Sequence, residues 1–142
     1  MTQGERLRHF TKKIHKFCET NKGSTELSEF LEELSAHNKE WGELVMHVGG
    51  AAMENPDEVG AASVDFLMYS GYVVLAYFWA QAVTVAQKAL DNGTTEEAYY
   101  KAKIKTARFY YQRLLPKTRG HVATMKAGAD SLMDLDAEHF CF

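Results

Sequence analysis

The chain has 142 residues, 46% of them hydrophobic and 25% charged, with a formal net charge of −3. That length suits one domain with a sizeable core, and the balance excludes a disordered chain. The small negative charge excludes a global electrostatic pull toward nucleic acid or anionic lipid.

Two prolines, Pro56 and Pro116, leave room for long helices. The two cysteines, Cys18 and Cys141, are far apart and lack metal-ligand spacing, so they read as free thiols in a reducing compartment. The N-terminal stretch MTQGERLRHFTKKIHKFC is charged and amphipathic, unlike a secretory signal. A cytoplasmic location is the expectation.

A first helix is predicted over about residues 2–20. Leu7, Phe10, Ile14 and Phe17 recur at spacings of three and four, and lysines take the other faces. Gly23 is expected to end it in a left-handed cap. A second helix is predicted over 24–53, capped by Ser24 or Thr25. Leu27, Leu34, Trp41 and Val48 keep a heptad beat, with Leu31, Leu44 and Val45 between. Asn55-Pro56-Asp57-Glu58 stops this helix and starts a third, predicted over 56–90.

The third helix contains Phe66–Gln87, a stretch without a single charged residue. Such a helix is buried in a bundle or inserted in a membrane. Tyr69, Ser70, Tyr72, Tyr77, Gln81 and Thr84 make it polar for a span, and no Lys or Arg cluster flanks it. A bundle is therefore the preferred reading. At about 50 Å the helix outruns what three neighbours cover, so Tyr72, Leu75 and Trp79 are expected at an interface.

A fourth helix is predicted over 95–126, opened by a Thr94-x-x-Glu97 capping box. Its core stripe runs through Ile104, Ala107, Tyr111, Leu114, Leu115, Val122 and Met125. Pro116 falls inside that beat and predicts a kink. Residues 127–142 form a tail with Leu132, Met133, Leu135, Phe140 and Phe142 available to dock. The predicted fold is all-α: a single domain built as an up-down four-helix bundle with a shorter first helix and a docked tail.

Charge is divided between two helices. The second holds Glu26, Glu29, Glu32, Glu33, Glu40 and Glu43 against Lys39 alone. The fourth has no acid between Glu97 and Asp130. There, Lys101, Lys105, Arg108 and Arg119 share a stripe that suits an anion such as CoA, or the acidic second helix. Glu33, His37, Glu40, Glu43 and His47 share one side of the second helix, but the Glu-x-x-His pairs of a di-metal bundle are missing. No metal site is assigned. Asp65 reads as paired or solvated, and His121 and His139 as structural or surface residues. No phosphate loop, nucleophile elbow or paired-Cys pattern is present, so no catalytic or cofactor-binding residue is assigned.

The string KIKTARFYYQRLLPKTRGHVATMKAGADSLMDLDAEHF, Lys103–Phe140, carries a family resemblance. Its marks are Ala107-Arg108-Phe109-Tyr110, Arg113-Leu114-Leu115-Pro116 and Gly128-Ala129-Asp130-Ser131-Leu132. Arg8-His9-Phe10-Thr11-Lys12 with Phe17-Cys18 adds to them. The chain resembles the C-terminal helical domain of the acyl-CoA dehydrogenases, in the branch similar to methylthiopropanoyl-CoA dehydrogenase. The resemblance implies a parent enzyme that binds FAD and removes hydrogens across the α–β bond of an acyl-CoA with a glutamate base. Those parts lie upstream of the matching region, so no catalytic or flavin residue carries over. The implied partner is a flavoprotein core or another copy of the chain, with a role in packing and oligomer assembly. The alternative is a stand-alone binding module for CoA or another anion on the fourth helix.

Overall fold

The computed structural model describes residues 4–140. Among the described residues all regular structure is helical. Helix α1 spans Glu5–Asn21, α2 Ser28–Glu54, α3 Asp57–Asp91, α4 Glu97–Phe109 and α5 Thr118–Lys126. A π-type turn at Tyr110–Leu114 and a 3-10 turn at Leu115–Lys117 join α4 to α5. Short helical turns at Asp130–Met133 and Ala137–Phe140 follow.

α3 is the central element. It packs against α2, α4 and α5, and α1 packs on α2. Contacts advance along α3 as they retreat along the last third of the chain: Glu58 meets Ala129, Asp65 meets His121, Ala76 meets Tyr111. The α4–α5 limb therefore runs opposite to α3. The heptad seam of α2 turns inward: Leu27, Leu31, Leu34, Trp41 and Leu44 are buried and Val48 half-buried. Ile14 from α1, Phe30 from α2, Tyr69 and Val73 from α3 and Leu115 complete the core. Each large apolar side chain so buried contributes about 1.5–3 kcal/mol.

Three buried tyrosines carry their hydroxyls to partners. Tyr69 donates to the His37 carbonyl at 3.0 Å and to Glu40 at 2.8 Å. Tyr110 donates to the Tyr72 carbonyl and Tyr111 to that of Ala76, both at 2.8 Å. Burial pushes all three phenols above their ordinary range, aided at Tyr69 by Glu40. Burial likewise pushes the Cys18 thiol up to about 11, which leaves it protonated and inert.

The structure departs from the sequence expectations at several places. α2 begins at Ser28, because Leu27 buries itself from the preceding turn. Ser24 instead donates to Glu26, and Ser28 to the Thr25 carbonyl. Gly23 is not left-handed; Gly93 and Gly128 are, at φ 72° and 78°. Thr94 accepts from the Glu96 amide, while Glu97 pairs with Lys101 and closes no capping box.

The predicted fourth helix is not α-helical throughout: α4 gives way to other helical turns around Pro116 before α5 begins. Pro116 has no N–H for the carbonyl four residues back, and its ring crowds that carbonyl. The chain answers by widening into the π turn before the proline and tightening into the 3-10 turn across it. The tail is likewise not docked by its large apolar residues. Leu132, Met133, Leu135 and Phe140 are all more than half exposed. What holds its start is Ala129, buried, whose amide donates to Glu58 at 3.1 Å. A Cβ on Gly128 would sit 3.3 Å from the same carboxylate. Phe142 and Cys141 lie outside the described residues, as do residues 1–3 at the start of the predicted first helix.

Candidate interaction surface

The inner side of α3 is lined by small residues, Ala62, Ala76, Ala80 and Ala86, around Tyr69 and Val73. Small side chains let α2 and the α4–α5 limb approach closely. The outer side is also apolar and has no neighbour among the described residues. Val64 and Leu67 are each 70% exposed, Leu75 51%, Phe78 53% and Val85 64%. At 100° per residue these positions, with Gly60, Gly71 and Ala82, form one continuous stripe. No charged side chain interrupts it between Asp57 and Lys88. It presents on the order of 600 Å² of apolar surface, at the top of what isolated soluble domains show.

α3 is long and apolar enough to cross a membrane by length and composition. Only 22% of its most apolar window is buried, so it is not an ordinary enclosed core helix. Its inner side is sheathed by helices with charged outer faces, which a bilayer interior does not accommodate.

Next to the stripe lies an apolar groove of about 650 Å³ between α1, α2 and α3. Leu7, Val45, Val48, Val59, Phe66 and Leu67 line it, and Arg6 is its only charged residue. Leu67 belongs to both features, so groove and stripe form one surface. Of the expected interface residues, Leu75 lies in the middle of the stripe. Tyr72 and Trp79 sit at its edge, half-buried against the core. The Tyr72 ring also lies against His121 at 5.9 Å. Reading by helical wheel would have reached Val64, Leu67 and Phe78. The missing signal was which apolar side faces in, and that is marked by the polar handles Asp65, Tyr69 and Ser70, which all find partners across the core.

The basic stripe of the fourth helix meets the acidic second helix. Arg108 forks onto Glu29 at 2.7–3.2 Å. Arg119 forks onto Glu40, and Lys101 pairs with Glu97. Lys105 is exposed. For CoA to use this stripe, it must displace Glu29 and Glu40 from their arginines.

Glu40 belongs to a polar network beside a 330 Å³ cavity lined in part by Glu33, His37, Tyr111 and Leu115. His37 is buried, with Nδ1 2.8 Å from the Glu33 carbonyl and Nε2 3.1 Å from the Thr118 hydroxyl. Every polar group of this network has a protein partner, which makes it a brace between α2, α3 and α5. His121 braces α5 to α3 through Asp65 at 2.7 Å. Glu43 pairs with Lys39, and His47 is exposed. Among the described residues no three His, Cys, Asp or Glu side chains converge on a metal site.

Desolvation raises the Glu40 carboxyl, but hydrogen bonds from Arg119 and Tyr69 and the charge of Arg119 outweigh it and hold the group below its ordinary 4.5. A carboxyl depressed on folding contributes stability that is present above its unfolded value and lost as pH falls through the folded one. Glu40→Gln should therefore cost about 1 kcal/mol at neutral pH and flatten the loss of stability below pH 4.5. Urea unfolding of both proteins across that range measures it.

The chain matches, over residues 10–136, the model of a family described as acetyl-CoA dehydrogenase C-terminal like. It is 27% identical over 146 residues to a butyryl-CoA dehydrogenase of Syntrophomonas wolfei subsp. wolfei (strain DSM 2245B / Goettingen). That match takes in 99% of this chain and 23% of that enzyme's length.

Proposed function

The chain belongs to the acetyl-CoA dehydrogenase C-terminal-like family, and from this we propose that it is the accessory helical domain of an FAD-dependent acyl-CoA dehydrogenase. Its role is packing and assembly, as a single up-down four-helix bundle that places the outer side of α3 against another part of the enzyme. We assign it to the methylthiopropanoyl-CoA dehydrogenase-like branch on the Ala107–Tyr110, Arg113–Pro116 and Gly128–Leu132 motifs.

The observation that carries the reading is the unpartnered apolar stripe from Val64 to Val85. A domain built to work alone in water has no use for so long an uncovered face. The chemistry of the cavities supports the second half of the reading, that flavin and catalytic base belong to the rest of the enzyme. A dinucleotide needs donors for its phosphates and polar contacts for its ring. The groove between α1, α2 and α3 offers mostly apolar side chains with Ser63, Ser70 and one arginine, and Arg108 and Arg119 already hold carboxylates. On this reading FAD is held by the rest of the enzyme.

The test is direct. Purified alone, the chain should retain no flavin and reduce no artificial electron acceptor with butyryl-CoA. Added to an acyl-CoA dehydrogenase flavoprotein portion that lacks the matching stretch, it should co-elute with it. A yellow, flavin-loaded chain that turns over an acyl-CoA would contradict the reading, and so would failure to associate.

A further inference from the structure

We infer that the groove between α1, α2 and α3 binds a free fatty acid, with one linear alkyl chain in the trough and its carboxylate on Arg6. The inference does not depend on how the domain assembles.

The groove exists because α1 covers only part of the seam between α2 and α3. Phe10 packs against Trp41 at 6.3 Å, Asn38 donates to the Thr11 carbonyl at 3.1 Å, and the helix starts at Glu5. Beyond that start, toward the turn at Asn55-Pro56, the seam is open among the described residues. Val45 and Val48 line it from α2, Val59 and Phe66 from α3, and Leu7 from the first turn of α1. The α3 residues that line it, from Val59 to Ser70, span roughly 16 Å of helix. Its volume of about 650 Å³ is that of a small-molecule site.

The polar groups of the lining limit what the trough accepts. Ser63 donates to the Gly60 carbonyl at 2.8 Å. Ser70 donates to the Phe66 carbonyl at 2.6 Å and accepts from Trp41 Nε1 at 2.9 Å. Both hydroxyl protons are committed, so neither serine offers a donor to a ligand. Arg6 carries the single charge among the lining residues, and no carboxylate lies there to answer it. One cation beside a long apolar wall suits one anionic head on one apolar tail. A nucleotide would bring several phosphates to a single arginine and polar rings to apolar walls. Arg6 is exposed, so the head stays in water while the tail is buried.

Calorimetric titration of the full chain with octanoate, decanoate and dodecanoate, each below its micelle concentration, tests the inference. The dissociation constant should fall about fifteenfold for each two methylenes added. Decanol, which lacks the charge, should bind roughly fivefold more weakly than decanoate. Arg6→Glu should weaken decanoate roughly tenfold and leave decanol unchanged. Gly49→Phe drives a ring into the trough from α2, where an added Cβ meets nothing within 4 Å. It should weaken both ligands at least about tenfold, while helix content holds because glycine is the poorer helix former. Absence of binding overturns the inference, as does an affinity indifferent to chain length, to Arg6→Glu or to Gly49→Phe. A chain that ignores monomeric decanoate but floats with phosphatidylcholine–phosphatidylglycerol vesicles gives the groove to a bilayer and also overturns it. Decanoate binding by a chain that fails to associate with the flavoprotein portion supports the inference and removes the proposed function. Association without decanoate binding does the reverse.

Discussion

Phe30→Ala should lower the unfolding free energy by about 3–5 kcal/mol and the melting temperature by roughly 10 °C. Phe30 is 1% exposed. Its ring meets Tyr111 edge-on at 5.1 Å, which joins the first turn of α2 to the π turn. Removing the ring opens a cavity where two segments distant in sequence meet. It also strips the aromatic partner from the tyrosine whose hydroxyl holds the Ala76 carbonyl. Domains of this size are stable by only about 5–15 kcal/mol, so the loss is a large fraction of the whole. Phe78→Ala is the internal control. The residue type and the change are the same, but Phe78 is 53% exposed on the outer face of α3. In the dissociated chain it should cost less than about 1 kcal/mol. Thermal melts of both variants at low concentration read the difference. Equal losses would mean that Phe78 is buried in the chain and would contradict an open outer face on α3.

Ala80→Leu should cost about 1–3 kcal/mol, the penalty of forcing extra methylenes into a filled core. Ala80 is fully buried on the inner side of α3, and Ala76 one turn earlier is equally buried. These alanines set the distance at which the neighbouring helices pack, so a leucine pushes a helix outward or leaves its rotamer. The midpoint of urea unfolding should fall with little change in slope. A stabilised variant would show an unfilled space beside Ala80 and would contradict the close packing.

Much of the fold was legible because helix periodicity is a local signal. The α2 seam from Leu27 to Leu44 and the stop-start at Asn55-Pro56 were readable residue by residue. The end of α3, expected at residue 90, falls at Asp91. What was not legible depends on distant partners. Pro116 announces a disturbance, but whether the chain kinks or widens into a π turn depends on what Tyr110 and Tyr111 reach across the core. The tail offered apolar residues and no signal of where they go. α3 posed the deeper ambiguity. A helix apolar on all sides has no amphipathic direction, so Tyr72, Leu75 and Trp79 were placed by composition; Leu75 lies on the open face, Tyr72 and Trp79 about a quarter of a turn from its centre. In the basic stripe, spacing alone could not separate an anion site from a set of ion pairs with α2. In the structure Arg108 reaches Glu29 and Arg119 reaches Glu40.

The claim on which the rest depends is that the outer face of α3 is a surface for assembly. Carbene footprinting of α3, in the dilute chain alone and in the assembled enzyme, tests it most directly. Labelling at Val64, Leu67, Leu75 and Phe78 should fall several-fold on assembly, while Val73 and Ala76 stay dark in both. Outer-face residues labelled equally in the two states would contradict it.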